Sequence, residues 1–344
     1  MKKTRVAING FGRIGRTFFR LAYGHPDFEV VMVNDLGDIN NLAYLLEYDT
    51  AYGHAPFGVT VVDGSLVVDG KRVQYTSERD ATKLPWGKEQ IDIVVESTGV
   101  FTSYEKANAH IVAGAKRVVI SAPVKDEEGQ VGGGKTVLMG MNTDALATCT
   151  ISSNASCTTN ATSPLVAILE KGIGIEKAIL NTVHSYTASQ ALVDGPSRKD
   201  MREGRSAAQN IVPSSTGAAI ATTLVHSALK DKFDGIAIRV PVQVGSLVDF
   251  TFIAKRATTV DEVNDVLTKA SSEAPWSGIF AVTRAPIVSS DIIGAQMASI
   301  ADLSFTRVVD GNLVKVLAWY DNETGYTSTL VKHVAHIAQL LNTA

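Results

Sequence analysis

Cysteine is scarce in this sequence: Cys149 and Cys157 are the two thiols among 344 residues. Two cysteines cannot build the framework of several bridges that stabilises small secreted proteins. Their spacing also differs from the Cys-x-x-Cys pattern of zinc sites. We therefore expect reduced thiols, no disulfide framework and no bound metal.

Long apolar runs and an excess of positive charge are lacking as well. The segment MKKTRVAINGFG has too short an apolar stretch for a signal peptide, and no later stretch approaches the ~18 apolar residues of a membrane span. The net charge of −3 argues against a nucleic acid partner. We expect a cytoplasmic protein that binds small molecules, with no nucleic acid and no membrane among its partners.

Apolar and helical segments alternate in the first half of the chain. RVAIN (5–9) predicts a buried strand, and it is followed by GFGRIG, a helical RTFFRLAYG and a second strand in FEVVMVND (28–35). Further β-branched strands are predicted in IDIVVESTG (91–99) and RVVISAP (117–123), on either side of a helical segment. This alternation predicts an α/β fold that begins with a Rossmann-type, mostly parallel sheet.

The pattern changes after about residue 157. KAILNTVHSYTA, FDGIAIRVPV, SLVDFTFIAKRA and LVKVLAWYDNE show the alternation of strands that have one covered face. A polar loop is expected over 188–215, and the chain ends in an amphipathic helix. We predict a first domain over 1–156, an α+β domain with an antiparallel or mixed sheet over 157–321, and a C-terminal helical segment over 322–344.

A glycine-rich motif follows the first predicted strand. Gly10, Gly12 and Gly15 form G-x-G-x-x-G, and Asp35 ends the next predicted strand. Such glycines also occur in ordinary tight turns, but a strand before them, a helix after them and an acid at this distance predict a dinucleotide site. A carboxylate at position 35 can accept the ribose hydroxyls of NAD and would repel the 2′-phosphate of NADP, so NAD is the predicted cofactor.

The two cysteines differ in their surroundings. Cys149 lies in TCTIS, a plain strand pattern, and is expected to be a buried structural thiol. Cys157 lies in SNASCTTN before a predicted helix with Pro164 near its first turns, and a helix N-terminus stabilises a thiolate. His184, at the end of a predicted strand, is the candidate base. From these residues alone, a buried thiol and a structural histidine remain the alternatives.

Eight motifs along the chain together resemble the glyceraldehyde-3-phosphate dehydrogenase family. They occur in the family's order: INGFGRIGR, YLLEYDTAYG, STGVF, SNASCTTN, HSYTASQ, PSSTGAA, RVP and WYDNETGY. The resemblance implies phosphorylating oxidation of glyceraldehyde 3-phosphate to 1,3-bisphosphoglycerate with NAD and inorganic phosphate. It assigns Cys157 as the nucleophile, which forms a thiohemiacetal and then a thioester, and His184 as its base. The alternatives are an erythrose-4-phosphate dehydrogenase and a dinucleotide-binding protein without catalysis.

The resemblance also implies the remaining site residues. Arg79 would lie beside the adenine, Thr98 and Gly99 along the dinucleotide, and Ser121 and Asn322 near the nicotinamide. With the glycine loop, the implied NAD-binding set is Gly10, Phe11, Gly12, Arg13, Ile14, Gly15, Asp35, Arg79, Thr98, Gly99, Ser121 and Asn322.

Phosphate recognition is implied by a second set of residues. Thr187 and Arg239 would bind the substrate phosphate. The attacking phosphate would bind Ser156, Thr158, Thr216 and Gly217, with Arg205 nearby. The loop 188–215 matches a family loop that packs between subunits, which implies a glycolytic homotetramer. The first domain would then bind NAD, the second would hold the catalytic and oligomerisation surfaces, and the C-terminal helix would return to the NAD-binding domain.

Overall fold

A computed structural model describes residues 3–197 and 200–343. The chain divides into two compact units, of which one holds the chain up to Ala155 together with the segment from Thr327 onward, and the other holds Ser156–Tyr326. Within the described residues, none of the helices combines the length and the apolar composition that crossing a bilayer requires.

The first unit is built around a nine-stranded sheet. The strands of this unit are β1 (Thr4–Asn9), β2 (Phe28–Asn34), β3 (Tyr48–Asp49), β4 (Gly53–His54), β5 (Val59–Val62), β6 (Ser65–Val68), β7 (Lys71–Thr76), β8 (Ile93–Glu96), β9 (Arg117–Ile120), β10 (Lys135–Thr136) and β11 (Ile151–Ser153). Strands β3 and β4 form a separate two-stranded ladder, and the other strands form the large sheet. The sheet order is β10-β11-β9-β8-β1-β2-β7-β6-β5. The pairs from β10 to β7 are parallel, and β5 and β6 extend the edge as an antiparallel hairpin.

The composition of the central strands explains why this sheet is parallel and covered on both faces. Val6, Ala7 and Ile8 are fully buried, as are all residues of Ile93–Val95. Unbroken apolar runs of this kind leave no polar face for water. Helices α1 (Arg13–Ala22), α2 (Ile39–Glu47) and α3 (Tyr104–Val112) connect the strands.

The second unit contains a seven-stranded mixed sheet. Its strands are β12 (Ile175–Ser185), β13 (Val212–Ser215), β14 (Phe233–Val240), β15 (Ser246–Ala254), β16 (Phe280–Thr283), β17 (Ser299–Val309) and β18 (Leu313–Tyr320), in the order β13-β14-β12-β15-β18-β17-β16. Burial alternates residue by residue along β15, as expected for a sheet with one face in the core. The predicted α/β class, with a parallel sheet followed by a mixed one, is confirmed.

Helices of the second unit form a core with the inner face of this sheet. They are α4 (Cys157–Gly172), α5 (Ala218–Val225) and α6 (Val260–Ser272), and α7 (Thr324–Thr343) ends the chain. Leu165 and Leu169 of α4 pack in one cluster with Phe250 of β15. Two local expectations change: Pro164 lies in the interior of α4, and Val212–Ser215 of the predicted loop pairs with β14 as a strand.

Candidate active site

The glycine loop has the shape that a dinucleotide phosphate requires. Gly10 has a φ of +93°, and a Cβ atom there would lie 2.6 Å from the Thr98 backbone nitrogen. A Cβ atom at Gly15 would lie 2.2 Å from the Gly10 carbonyl oxygen, so helix α1 can approach β1 this closely only with glycine at this position. Around Gly12, in contrast, no atom lies within 4 Å of such a Cβ. The backbone therefore leaves open space at the start of α1, and the residues fit NAD.

Asp35 lies beside this loop and is held by it. Its Oδ2 atom accepts a hydrogen bond from the Phe11 N–H at 2.6 Å, and its Oδ1 atom accepts from the Gly37 N–H at 2.8 Å. Each carboxylate oxygen retains a second lone pair that can accept a ribose hydroxyl. Phe11 contributes this N–H while its ring is fully buried.

Other predicted cofactor residues have roles inside the unit. The Arg13 guanidinium forms an ion pair with Asp49 at 2.8 Å, which ties α1 to the segment after α2. The Thr98 hydroxyl donates to Glu96 Oε1 at 2.5 Å and accepts from the Val100 N–H at 3.0 Å, so this side chain is engaged within the unit. Among the other residues of the set, Arg79 and Gly99 are exposed, and Ile14 and Ser121 are half-buried.

Cys157 and His184 come together in the second unit. Cys157 is the first residue of α4, whose N-cap Ser156 accepts a hydrogen bond from the Thr159 N–H at 3.0 Å. His184 is the penultimate residue of β12, and its Nε2 atom lies 3.4 Å from Cys157 Sγ. A thiol and an imidazole at this distance can exchange a proton.

Two neighbours of the His184 ring meet at its Nδ1 atom. Nδ1 lies 2.7 Å from the Ser185 carbonyl oxygen, which can only accept, so this contact favours a proton on Nδ1 and leaves Nε2 free to accept from the thiol. The Arg239 Nη1 atom, which can only donate, lies 2.5 Å from the same Nδ1 atom and opposes a proton there, although it also donates to the Ser185 carbonyl at 3.1 Å. Arg239 therefore places a positive charge directly beside the candidate base.

The surroundings of the pair favour its neutral form. Burial and, secondarily, the Arg239 charge lower the pKa of His184 to about 3. Burial raises the pKa of the Cys157 thiol, and the Arg239 charge and hydrogen bonds from Thr158 oppose this only in part. Cys157 lies at the start of a helix, as expected, but burial of the sulfur opposes the stabilisation that a helix N-terminus gives to a thiolate.

Tyr320 is a member of this site that sequence reasoning missed. Its hydroxyl lies 2.9 Å from Thr158 Oγ1 and 2.7 Å from Thr182 Oγ1, and its ring packs edge-on against His184 with centroids 5.9 Å apart. Tyr320 thereby keeps the imidazole in place. The Thr158 hydroxyl, expected to bind phosphate, is buried and bonded to Tyr320.

Asn322 has a fixed amide orientation. Its Oδ1 atom accepts from the Ser185 hydroxyl at 3.0 Å, the Gly245 N–H at 3.1 Å and the Ser246 hydroxyl at 3.2 Å. Three donors on the oxygen identify Nδ2 as the group that can donate to a ligand.

The predicted phosphate-binding residues differ in the hydrogen bonds and ion pairs that they already form within the unit. The Thr187 hydroxyl lies 3.1 Å from that of Ser189, and Thr216 Oγ1 accepts from the Ala218 N–H at 3.2 Å. Gly217 is the exposed N-cap of α5. Arg205 is exposed and pairs with Asp194 at 2.8 Å, so its charge is shared with a carboxylate of its own loop. Arg239 is the cation nearest to the Cys157–His184 pair among these predicted residues.

Comparison with known proteins agrees with these motifs. Residues 4–104 match the family model for the NAD binding domain of glyceraldehyde 3-phosphate dehydrogenase, and residues 156–322 match that for its C-terminal domain. A glyceraldehyde-3-phosphate dehydrogenase of Streptomyces coelicolor is 48% identical over 95% of this chain and 96% of its own length. Relatives of that name from Geobacillus stearothermophilus (47%) and, numbered 1, from Bacillus subtilis (46%) each align over 97% of this chain and 98% of their own length. The resemblance seen in the sequence is thus confirmed, and the chain belongs to the glyceraldehyde-3-phosphate dehydrogenase family of NAD-dependent oxidoreductases that act on an aldehyde.

Proposed function

We propose that this chain oxidises glyceraldehyde 3-phosphate to 1,3-bisphosphoglycerate, using NAD and inorganic phosphate. The observation that carries the proposal is the contact of 3.4 Å between Cys157 Sγ and His184 Nε2, with the Arg239 guanidinium beside the same imidazole. A protein that only binds a dinucleotide has no need of a thiol and a base in contact.

The first step transfers a proton and forms a carbon–sulfur bond. His184 Nε2 accepts the thiol proton, and the Cys157 thiolate attacks the aldehyde carbon while the carbonyl electron pair moves to oxygen. The oxygen takes up the proton, which gives a thiohemiacetal. The Tyr320 ring and the Ser185 carbonyl hold His184 in the orientation for this transfer.

The second step converts the thiohemiacetal into a thioester. NAD, when bound, supplies the two-electron oxidant that receives the hydride from the former aldehyde carbon. His184 Nε2 takes the hydroxyl proton as the carbonyl forms again. An oxygen of inorganic phosphate then attacks the thioester, the carbon–sulfur bond breaks, and the Cys157 thiolate leaves as the acyl phosphate is released.

Arg239 has two neighbours in this scheme, the substrate phosphate and His184. A phosphate that pairs with the guanidinium compensates its charge. The repulsion that disfavours a proton on Nε2 then weakens, so phosphorylated substrates are expected to assist their own activation. Thr187 would add a hydroxyl to this phosphate. We further propose Ser156, Thr216 and Gly217, with Arg205 nearby, for the attacking phosphate.

We also propose the family's organisation for this chain. Residues 1–156 would bind NAD, 157–321 would carry catalysis and oligomerisation, and 322–344 would return to the first domain. The loop 188–215 presents strongly exposed apolar side chains, among them Leu192, Val193 and Met201, which supports a homotetramer. Two free thiols are in keeping with a cytoplasmic location.

The test is NADH formation, followed by absorbance, with glyceraldehyde 3-phosphate or erythrose 4-phosphate and with or without phosphate. We expect the triose to be preferred, turnover to require phosphate, and Cys157→Ser to lose at least about three orders of magnitude in kcat. Cys149→Ser is the matched control and should remain active, since the Cys149 side chain is buried within the first unit. A preference for the tetrose, or full activity of Cys157→Ser, would contradict the proposal.

A further inference from the structure

Three neighbouring strands of the first unit end in buried polar residues. Asn9 is the last residue of β1, Asn34 of β2 and Glu96 of β8, and the register places Asn9 between the other two. Asn34 Nδ2 donates to Asn9 Oδ1 at 2.7 Å, and Asn9 Nδ2 donates to Glu96 Oε2 at 2.6 Å. We call this row of Asn34, Asn9 and Glu96 the polar rung.

Groups whose hydrogen-bond direction cannot change lie at both ends of the polar rung. The Trp86 indole N–H donates to His110 Nδ1 at 3.1 Å, and an indole nitrogen cannot accept. His110 therefore carries its proton on Nε2, which donates to Glu96 Oε2 at 3.0 Å. At the other end, the Glu78 N–H donates to Asn34 Oδ1 and the Glu78 carbonyl accepts from Asn34 Nδ2, both at 2.9 Å.

Glu96 has to accept every hydrogen bond that reaches it. Its Oε2 atom accepts from Asn9 and His110, and its Oε1 atom accepts from the Thr98 N–H at 2.8 Å and the Thr98 hydroxyl at 2.5 Å. A proton on Oε2 would face the donors of Asn9 and His110, and a proton on Oε1 would lie beside the Thr98 N–H. A carboxylate at Glu96 satisfies all four donors at once.

The polar rung lies directly below the loops that form the cofactor side of the first unit. Asn9 precedes Gly10, Asn34 precedes Asp35, and Glu96 holds Thr98. Two contacts to the backbone complete the connection: the Gly10 N–H donates to the Asn34 carbonyl at 2.8 Å, and the Ser97 hydroxyl donates to the Gly10 carbonyl at 2.7 Å. The loops after β1, β2 and β8 are therefore joined through one row of side chains.

We propose that the polar rung positions the NAD-binding loops, and that Glu96 is a positioning residue for the cofactor. Its carboxylate determines which way the Asn9 amide and the Thr98 hydroxyl point. Through them it holds the backbone that faces the dinucleotide. This inference concerns NAD binding and is independent of the chemistry at Cys157.

Glu96→Gln tests the proposal because it changes hydrogen-bond polarity and almost nothing in shape. The new NH₂ group faces either the donors of Asn9 and His110 or the N–H of Thr98, whose hydroxyl can rotate to accept. Asn9 cannot reverse its amide without opposing the donor of Asn34. At least one pair of donors is then in conflict in either orientation, and the loops must move to relieve it.

The measurement is the dissociation constant of NAD, by calorimetry on the purified protein without aldehyde. We expect Glu96→Gln to weaken binding between about tenfold and about a hundredfold, the effect of losing hydrogen bonds to a charged group. In steady state, the KM for NAD should rise while the KM for the aldehyde stays constant. Glu89→Gln is the matched control, since half-buried Glu89 accepts from Gln74 Nε2 at 2.9 Å, outside the row, and should bind NAD like the unaltered protein.

A second substitution separates positioning from simple destabilisation. Asn9→Asp in the Glu96→Gln background supplies an acceptor for both Asn34 Nδ2 and the new NH₂ group. The double variant is expected to bind NAD several times more tightly than Glu96→Gln, whereas Asn9→Asp alone opposes two carboxylates and should weaken binding. If Glu96→Gln does not fold, Asn34→Leu interrupts the same row at its other end and should show the same loss of affinity.

Unaltered NAD affinity in Glu96→Gln, or in Asn34→Leu, would overturn the proposal. A double variant that binds no better than Glu96→Gln would also overturn it. Because the readout is binding of NAD alone, a failure of the proposed aldehyde oxidation would leave these outcomes unaffected, and the two failures can be told apart.

Discussion

At the scale of single residues, the two thiols of this chain lie in very different surroundings. Cys149 is 2% exposed, and burial raises the pKa of its thiol. Cys157 is half-buried and has His184 Nε2 at 3.4 Å as a proton acceptor. The rate of reaction with an alkylating agent depends on access to the sulfur and on how readily the thiolate forms. The alkylation rates of the two cysteines should therefore differ clearly.

We therefore expect iodoacetamide to modify Cys157 at least about tenfold faster than Cys149. His184→Ala should slow the modification of Cys157, because the acceptor for its proton is lost. Peptide mass spectrometry over a time course measures both rates, and His54→Ala serves as the control, since His54 is exposed and lies in the first unit. Equal labelling of both thiols, or an unchanged rate in His184→Ala, would remove the assigned roles.

The sequence could single out Cys157 and His184 as a pair, and the structure brings them into contact, whereas the electrostatics around the pair could not be predicted. The motif around Cys157 predicts a helix start, and α4 does begin there. Whether the sulfur is ionised depends on desolvation and on Arg239, which approaches from β14 and is distant in sequence. Tyr320 and Glu96 were missed for the same reason, since most of their partners come from helices and strands far away in sequence.

At the scale of elements, helix α7 joins the first unit through a buried histidine. His333 Nδ1 donates to Asn154 Oδ1 at 3.1 Å, and its Nε2 atom accepts from the Ser152 hydroxyl at 2.8 Å. The contact at Nε2 requires the neutral ring, because a protonated Nε2 could not accept from the hydroxyl. Burial, with a smaller effect of His336, lowers the pKa of His333 to about 3.

This depressed pKa predicts a loss of stability in acid. Below the ordinary histidine pKa of 6.5 the unfolded chain binds a proton that folded His333 rejects, so stability falls as the pH drops from 6.5 toward 3. As the pH falls below about 6, the free energy of unfolding of the unaltered protein should decrease. We expect that of His333→Gln to decrease by about 1.4 kcal/mol less for each pH unit.

Urea unfolding at pH 7, 6 and 5 measures this difference in slope. His54→Gln, at an exposed position, is the control and should follow the unaltered protein. Parallel pH dependences for His333→Gln and the unaltered protein would show that His333 is not the group responsible. The absolute stability of His333→Gln is not the test, because the substitution also changes two hydrogen bonds.

Asp-Gly pairs mark the turns at one edge of the first sheet, and our strand predictions make no use of them. Asp63–Gly64 and Asp69–Gly70 all have positive φ, between 46° and 78°, and they connect β5 to β6 and β6 to β7. Asp-Gly flanked by alternating apolar residues is a strong indication of a tight hairpin. The same pair at Asp310–Gly311 connects β17 to β18. These strands could have been predicted, whereas the pairing of Val212–Ser215 with β14 depends on contacts far apart in sequence.

At the scale of the whole molecule, the proposed homotetramer can be tested directly. Light scattering coupled to size exclusion should give four times the 36.6 kDa of one chain. Met201→Glu should reduce this mass, because it places a charge on a strongly exposed apolar side chain of the loop 188–215. Val112→Glu is the matched control at another exposed apolar position, the last residue of α3. A mass of one chain for the unaltered protein would exclude the tetramer.

The polar rung also constrains how this protein can change over evolutionary time. The donors and acceptors of Asn34, Asn9 and Glu96 each match those of the neighbouring side chains in the row. A lone exchange at any of them creates a mismatch, while a paired exchange can remove it. We expect the three positions to covary among descendants of this gene, as a unit inherited together rather than as three separate sites.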